Sequence, residues 1–198
     1  KYSCNLVLDN TEELVEKPVQ KRGQDLFAIL QNAEVCMNLE FGPLFEELVR
    51  VTDAFKFEKG AHYMRKYGPS LKKLQRIAEK IFRCYRMDFR SLTDIVRCSL
   101  VYHNIETLCK ALEYMLAHLQ SHGFTVLRVK NRLHPDFDVR ESGGYRDVSM
   151  NVIGALGHVC EIQLHWLPIF QIKIGGDTDS SKESGHKRYT RFRDVRLQ

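Results

Sequence analysis

No stretch of this chain approaches the ~20 consecutive apolar residues that a membrane-spanning helix needs, so no membrane partner is expected. A CxxC pair is also missing, as is any Cys/His spacing suited to a metal. The six cysteines, Cys4, Cys36, Cys84, Cys98, Cys109 and Cys160, stand far apart. That argues against a structural zinc site and fits buried free thiols in a reducing compartment. No signal-peptide pattern follows Lys1, which makes a cytoplasmic location the expectation. A chain that opens on Lys rather than Met reads as a piece of a longer protein. There is no internal repeat. With 43% hydrophobic and 28% charged residues, the 198-residue chain has the balance of a folded domain rather than a disordered one. Its net charge of +5 is a mild bias toward anionic partners such as nucleotides or RNA.

Residues 1–22 read as an arm ending in a basic run. From Gln24 to about Phe57, apolar residues recur at helical spacing, and Gly42-Pro43 is expected to separate two helices with Pro43 in the first turn of the second. A basic loop follows, Lys59 to Pro69. Ser70 is a suitable N-cap for a helix running to about Tyr85. Leu92 to Tyr102 reads as a strand, and Asn104 caps a helix over Ile105 to about Gln120 that Gly123 stops. Strands are expected at Thr125 to Asn131, Tyr145 to Ile153 and Val159 to His165, the last two joined by a turn over Gly154 to Gly157. A helix starts near Pro168. Beyond a Gly/Asp/Ser-rich loop, the tail His186 to Arg196 is basic and reads as helical. The fold class is α/β: a mixed, mostly antiparallel sheet of about five strands flanked by helices. Residues 1–58 form an arm and helices packed on a unit spanning 59–198.

Side chains alternate faces along a strand. In the last strand Glu161, Gln163 and His165 share one side, and Cys160, Ile162 and Leu164 the other. Asp147, Ser149 and Asn151 alternate with Val148, Met150 and Val152. Arg128 and Lys130 repeat the pattern, as do Arg97 and Ser99. One face is therefore apolar. The other mixes acids, amides and cations, a composition suited either to a solvated outer face or to a pocket for phosphates and a metal. Asp94, at the start of a strand, and Glu161, inside another, could together hold Mg²⁺, which takes hard oxygen ligands from one or two carboxylates plus substrate phosphates.

From about Lys59 to Arg193 the chain resembles the synthetase domain of RelA/SpoT-type alarmone enzymes, a nucleotidyltransferase-like fold. The resemblance rests on Glu161-Ile-Gln-Leu-His165, on Gly144-Tyr145-Arg146-Asp147, on Lys130-Asn131-Arg132, and on Lys66 with Ser70. Asp94-Ile95-Val96, and His186 with Tyr189, complete it. It implies transfer of pyrophosphate from ATP to the 3′-hydroxyl of a guanine or adenine nucleotide, with Mg²⁺ held by Asp94 and Glu161. Glu161 would also help deprotonate the hydroxyl. Tyr145 would stack on the acceptor base. Lys66, Ser70 and Lys130 would bind phosphates, while Gln163 and His186 would line the site, with His165 on the same face. Four positions depart from the pattern: Met64, Ser99, Glu141 and Ser149 stand where the family carries cations or a histidine. Arg97 is a nearby replacement for one of them. Two other readings stay open: transfer to the 3′ end of tRNA, and a nucleotide- or RNA-binding regulatory domain without catalysis.

Overall fold

The computed structural model describes residues 18–21, 23–52 and 68–174. Lys66, His186 and the basic tail lie outside the described residues. Five strands form one mixed sheet: β1 (Ser70–Leu71), β2 (Val96–Tyr102), β3 (Thr125–Asn131), β4 (Val148–Ile153) and β5 (Val159–Trp166), in the order β1-β2-β5-β4-β3. The β2–β5 pair is parallel and the others are antiparallel. Among the described residues the α-helices are α1 (Leu26–Cys36), α2 (Gly42–Val51), α3 (Leu74–Cys84), α4 (Ile105–His118) and α5 (Leu167–Ile174). The expected α/β class and mostly antiparallel sheet are observed.

Strand register settles which residues share a face. Val96, Cys160 and Val152 form one apolar row, Cys98, Ile162, Met150 and Val129 a second, and Leu100, Leu164 and Val148 a third. These rows are buried in one cluster with Ile29, Ala33, Phe45 and Leu48 of α1 and α2 and with Leu108, Leu112 and Met115 of α4. Burial of such side chains at about 1.5–3 kcal/mol each holds the helices to the sheet. The opposite face keeps the polar rows.

Gly42-Pro43 does not break the helix. The chain stays helical from Leu26 to Val51 through a π-turn at Met37–Phe41, in which the Gly42 N–H reaches the Met37 carbonyl. A wider turn accommodates a proline that has no N–H to give. A Cβ on Gly42 would stand 2.9 Å from the Met37 oxygen, so the close approach calls for glycine. Ser70 is not a helix cap. It lies in β1, paired with Arg97, and α3 starts four residues later, after Lys73, with no side-chain cap. Edge pairing wins over a capping preference worth about 1 kcal/mol.

β2 begins at Val96, four residues later than expected, because Phe89–Ser91 is a 3₁₀ turn and 92–95 is irregular. β4 begins at Val148, which leaves Tyr145 in the preceding loop. Asn104 caps α4 by accepting the Thr107 N–H at 2.8 Å, and Gly123, with φ of 80°, ends the short 3₁₀ extension of that helix. Cys36, Cys84, Cys98 and Cys160 are free thiols, whereas Cys109 is disulfide-bonded, against the expectation of free cysteines throughout. Among the described residues no helix is long and apolar enough to cross a membrane.

Candidate functional site

Two polar rows cross the sheet. Ser70, Arg97, Glu161, Asn151 and Arg128 stand in register in one, and Ser99, Gln163, Ser149 and Lys130 in the other. Residues separated widely in sequence are thus brought together by strand pairing, at the ~4.8 Å spacing of neighbouring strands. Glu161 sits in the middle strand of the first row. Its carboxylate accepts from the Ser149 hydroxyl at 2.7 Å and from the Gln163 amide at 2.9 Å. Ser99 donates to the Gln163 carbonyl at 3.5 Å. The serines at 99 and 149 therefore orient the acid and its amide neighbour.

Asp94 lies just ahead of β2 and is 8% exposed. Its Oδ2 accepts from the ammonium groups of Lys72 and, at 2.8 Å, Lys80. Oδ1 is buried and has no hydrogen-bond partner. Burial pushes the Asp94 carboxyl up, but the Lys80 and Lys72 charges more than reverse this and hold it well below the usual carboxylate range. The same buried setting draws Lys72 down to about 8, against the pull of Asp94. Lys80 is raised, because Asp94 and Tyr85 outweigh its own burial. Glu161 moves the other way. Crowding by protein atoms raises it, and the negative charge of Asp94 raises it further. The two carboxylates therefore feel one another and are driven apart in acidity, the arrangement by which one stays ionised while the other can take a proton.

Lys72 and Lys80 were missed by sequence reasoning. Charged residues on an amphipathic helix normally face water, and the one available cue is that Lys80 lies beside Ile77, Ile81 and Cys84 on the inner side of α3. Asp94 is further fixed through its backbone. Asn151 donates to the Thr93 carbonyl at 3.3 Å, and the Lys72 N–H donates to the Ile95 carbonyl at 2.8 Å.

The remaining expected residues are arranged around this centre. Arg97 and Lys130 are half-buried on the polar face, Lys130 with its ammonium 5.7 Å from the Phe137 ring centre. Ser70 is exposed at the sheet edge beside Arg97. His165 is fully buried, with Nε2 3.3 Å from the Ser99 hydroxyl and Nδ1 3.2 Å from the Tyr145 hydroxyl. Burial, then the Lys173 and Arg132 charges, hold His165 well below its ordinary value, so the ring is neutral at pH 7. The Lys173 ammonium donates to the Tyr145 hydroxyl at 2.9 Å and is 5.0 Å from that ring's centre. Those two distances together place it off the hydroxyl edge, not over the ring face. Asp147, also buried, is paired with Arg132. Lys66 and His186 are outside the described residues.

Solved structures share this arrangement of strands and helices. The small alarmone synthetase 1 from Bacillus subtilis superposes with a TM-score of 0.52 at 16% sequence identity, over 82% of this chain and 84% of that one. A structure of the same enzyme bound to its product pppGpp superposes with a TM-score of 0.50 at 18% identity, over 86% and 84% of the two chains. This chain has the small alarmone synthetase fold. No protein-family model and no curated protein matches it by sequence. In a chain with the alarmone synthetase fold, fold alone does not carry function, which has to be argued from the site.

Proposed function

We propose that this protein transfers pyrophosphate from ATP to the 3′-hydroxyl of a purine nucleotide, releasing AMP. The observation that carries the proposal is a lysine-clamped, strongly acidic Asp94 whose charge reaches and raises Glu161, a carboxylate standing in a polar, cation-bearing row of the sheet. Such a reaction asks the protein for positioning and charge neutralisation more than for covalent chemistry.

The donor set suits Mg²⁺. Both groups offer hard oxygens, and the buried, unpartnered Oδ1 of Asp94 is an acceptor that a cation would satisfy. Among the described residues no cluster of three or more His, Cys, Asp or Glu converges. When bound, Mg²⁺ would offset phosphate charge. The chain's own residues do the rest. Glu161, made more basic by burial and by Asp94, accepts the proton of the attacking hydroxyl. Arg97 and Lys130 set positive charge against phosphate oxygens, as would Lys66, while Lys72 and Lys80 hold Asp94 ionised. Tyr145 presents its ring to the acceptor base, for stacking worth roughly 1–3 kcal/mol. His165 and Lys173 hold the Tyr145 hydroxyl. Gln163 keeps Glu161 oriented.

The product-bound pppGpp complex of the Bacillus subtilis enzyme supports a purine nucleotide as acceptor. One observation favours a binding-only domain instead: both oxygens of Glu161 already accept hydrogen bonds, and Oδ2 of Asp94 carries two ammonium groups. Incubation with Mg²⁺ and ATP labelled at the γ-phosphate, with GDP, GTP, ADP or tRNA in turn, decides. Label in a small nucleotide supports the proposal, and label in tRNA moves the acceptor to a polynucleotide end. Nucleotide binding with no labelled product under any condition refutes catalysis.

A further inference from the structure

We propose that Gln20 is a positioning residue that sets the separation of Asp94 and Glu161; this rests on the reaction proposed above. The β2–β5 ladder begins at Val96 and Cys160, downstream of Asp94 and only one residue before Glu161. Upstream of that first rung the two backbones are joined by a side chain. Gln20 Nε2 donates to the Leu92 carbonyl at 2.8 Å and to the Val159 carbonyl at 3.1 Å, while its Oε1 accepts the Val159 N–H at 3.0 Å. Leu92 lies two residues before Asp94, and Val159 two residues before Glu161.

A primary amide has two donor hydrogens and a carbonyl acceptor, so it can stand in for a backbone peptide and complete a ladder that the strands themselves leave open. The bridge is 1% exposed and anchored at its own backbone, where the Gln20 N–H donates to the Arg90 carbonyl at 2.8 Å. Asn151 secures Thr93 from the far side. Gln20 is thus the one described side chain whose hydrogen bonds span both strand entries, although it lies far from either carboxylate in sequence and touches neither.

The test uses the full chain with Gln20→Met, which keeps length and loses the amide, and Gln20→Asn, which stays polar but is too short to span both carbonyls. Tyr102→Phe serves as a control that loosens the opposite, apolar side of the sheet. Mn²⁺ is the probe ion, titrated calorimetrically in the presence of a non-hydrolysable ATP analogue, well below each melting temperature. Amide hydrogen exchange at Val159 is followed in parallel, together with kcat and acceptor KM. Both Gln20 variants are expected to bind Mn²⁺ about tenfold more weakly and to exchange the Val159 amide faster. Their kcat should fall about 10- to 100-fold at unchanged acceptor KM, since a displacement of about 1 Å can cost 10²-fold. Parental Mn²⁺ affinity in the folded Gln20 variants overturns the bridge whatever the activity. Weakened Mn²⁺ binding in a chain that transfers to no acceptor keeps the bridge and refutes the reaction. Absence of Mn²⁺ binding by the parent overturns both.

Discussion

Replacing Asp94 by asparagine should cost stability as well as activity. The Lys72, Lys80 and Asp94 side chains are only 9%, 19% and 11% exposed, so the charges meet largely out of water. At an effective dielectric of about 20, a unit pair at the 2.8 Å seen for Lys80 and Asp94 attracts by about 6 kcal/mol before desolvation. Most of that is offset by dehydrating the ions and by repulsion between the two lysines. Removing the carboxylate leaves both ammonium groups buried and facing each other, a situation that typically costs about 3–5 kcal/mol. For a domain of this size that lowers Tm by about 6 to 20 °C. Urea denaturation at pH 7, with m unchanged, measures it. The double variant Asp94→Asn/Lys72→Met should recover about half of the loss, because one of the stranded charges is gone. The pH dependence has a definite sign. Asp94 is held below its ordinary value, so its contribution is present above the unfolded value near 3.9 and is lost as pH falls toward the folded one. The gap between parent and Asp94→Asn should therefore close only in strong acid. An Asp94→Asn protein within about 0.5 kcal/mol of the parent at pH 7 would refute the buried ion cluster.

Glu161→Gln should do the opposite to stability while abolishing transfer. Its carboxyl is raised by burial and by Asp94, so its charge weakens the native state at neutral pH, and the amide should stabilise by up to about 1–2 kcal/mol in thermal melts. Lys173 is lowered by burial to about 8. Unfolded protein then binds more protons between pH 8 and about 10.4, so stability rises across that window by at most about 3 kcal/mol, a rise that should be missing from the denaturation profile of Lys173→Met. Tyr102→Phe deletes a buried hydroxyl 2.9 Å from that of Thr52 and should cost about 1 kcal/mol by urea titration, with no effect on nucleotide binding.

Much of the sheet was legible because alternation has a period of two that little else imitates. Tyr145 to Ile153 and Val159 to His165 read as strands, and from Val148 onward their polar and apolar sides are the ones observed. Helix α4 was legible from Asn104 and Gly123, residues whose local chemistry fixes both ends. Ser70 misled because a serine before a helical pattern has the same local appearance whether it caps that helix or lies in a two-residue edge strand. Gly42-Pro43 misled because a π-turn carries no composition of its own. The strand expected from Tyr145 starts three residues too early, since apolar and polar residues continue to alternate into the loop. Lys72 and Lys80 looked like two more cations on a basic helix, and Gln20 carried no signal at all.

From its sequence alone, then, this chain could be read as a mixed sheet with one apolar and one polar face, and Asp94 and Glu161 could be picked out as its candidate acids. Those properties follow from periodicity and residue type, which act over a few neighbours. Only the tertiary structure decided that Lys72 and Lys80 close on Asp94, that His165 meets Tyr145, and that Gln20 joins the two strand entries. Each depends on groups distant in sequence sharing a buried volume, where charge and hydrogen bonding gain strength that no local pattern records.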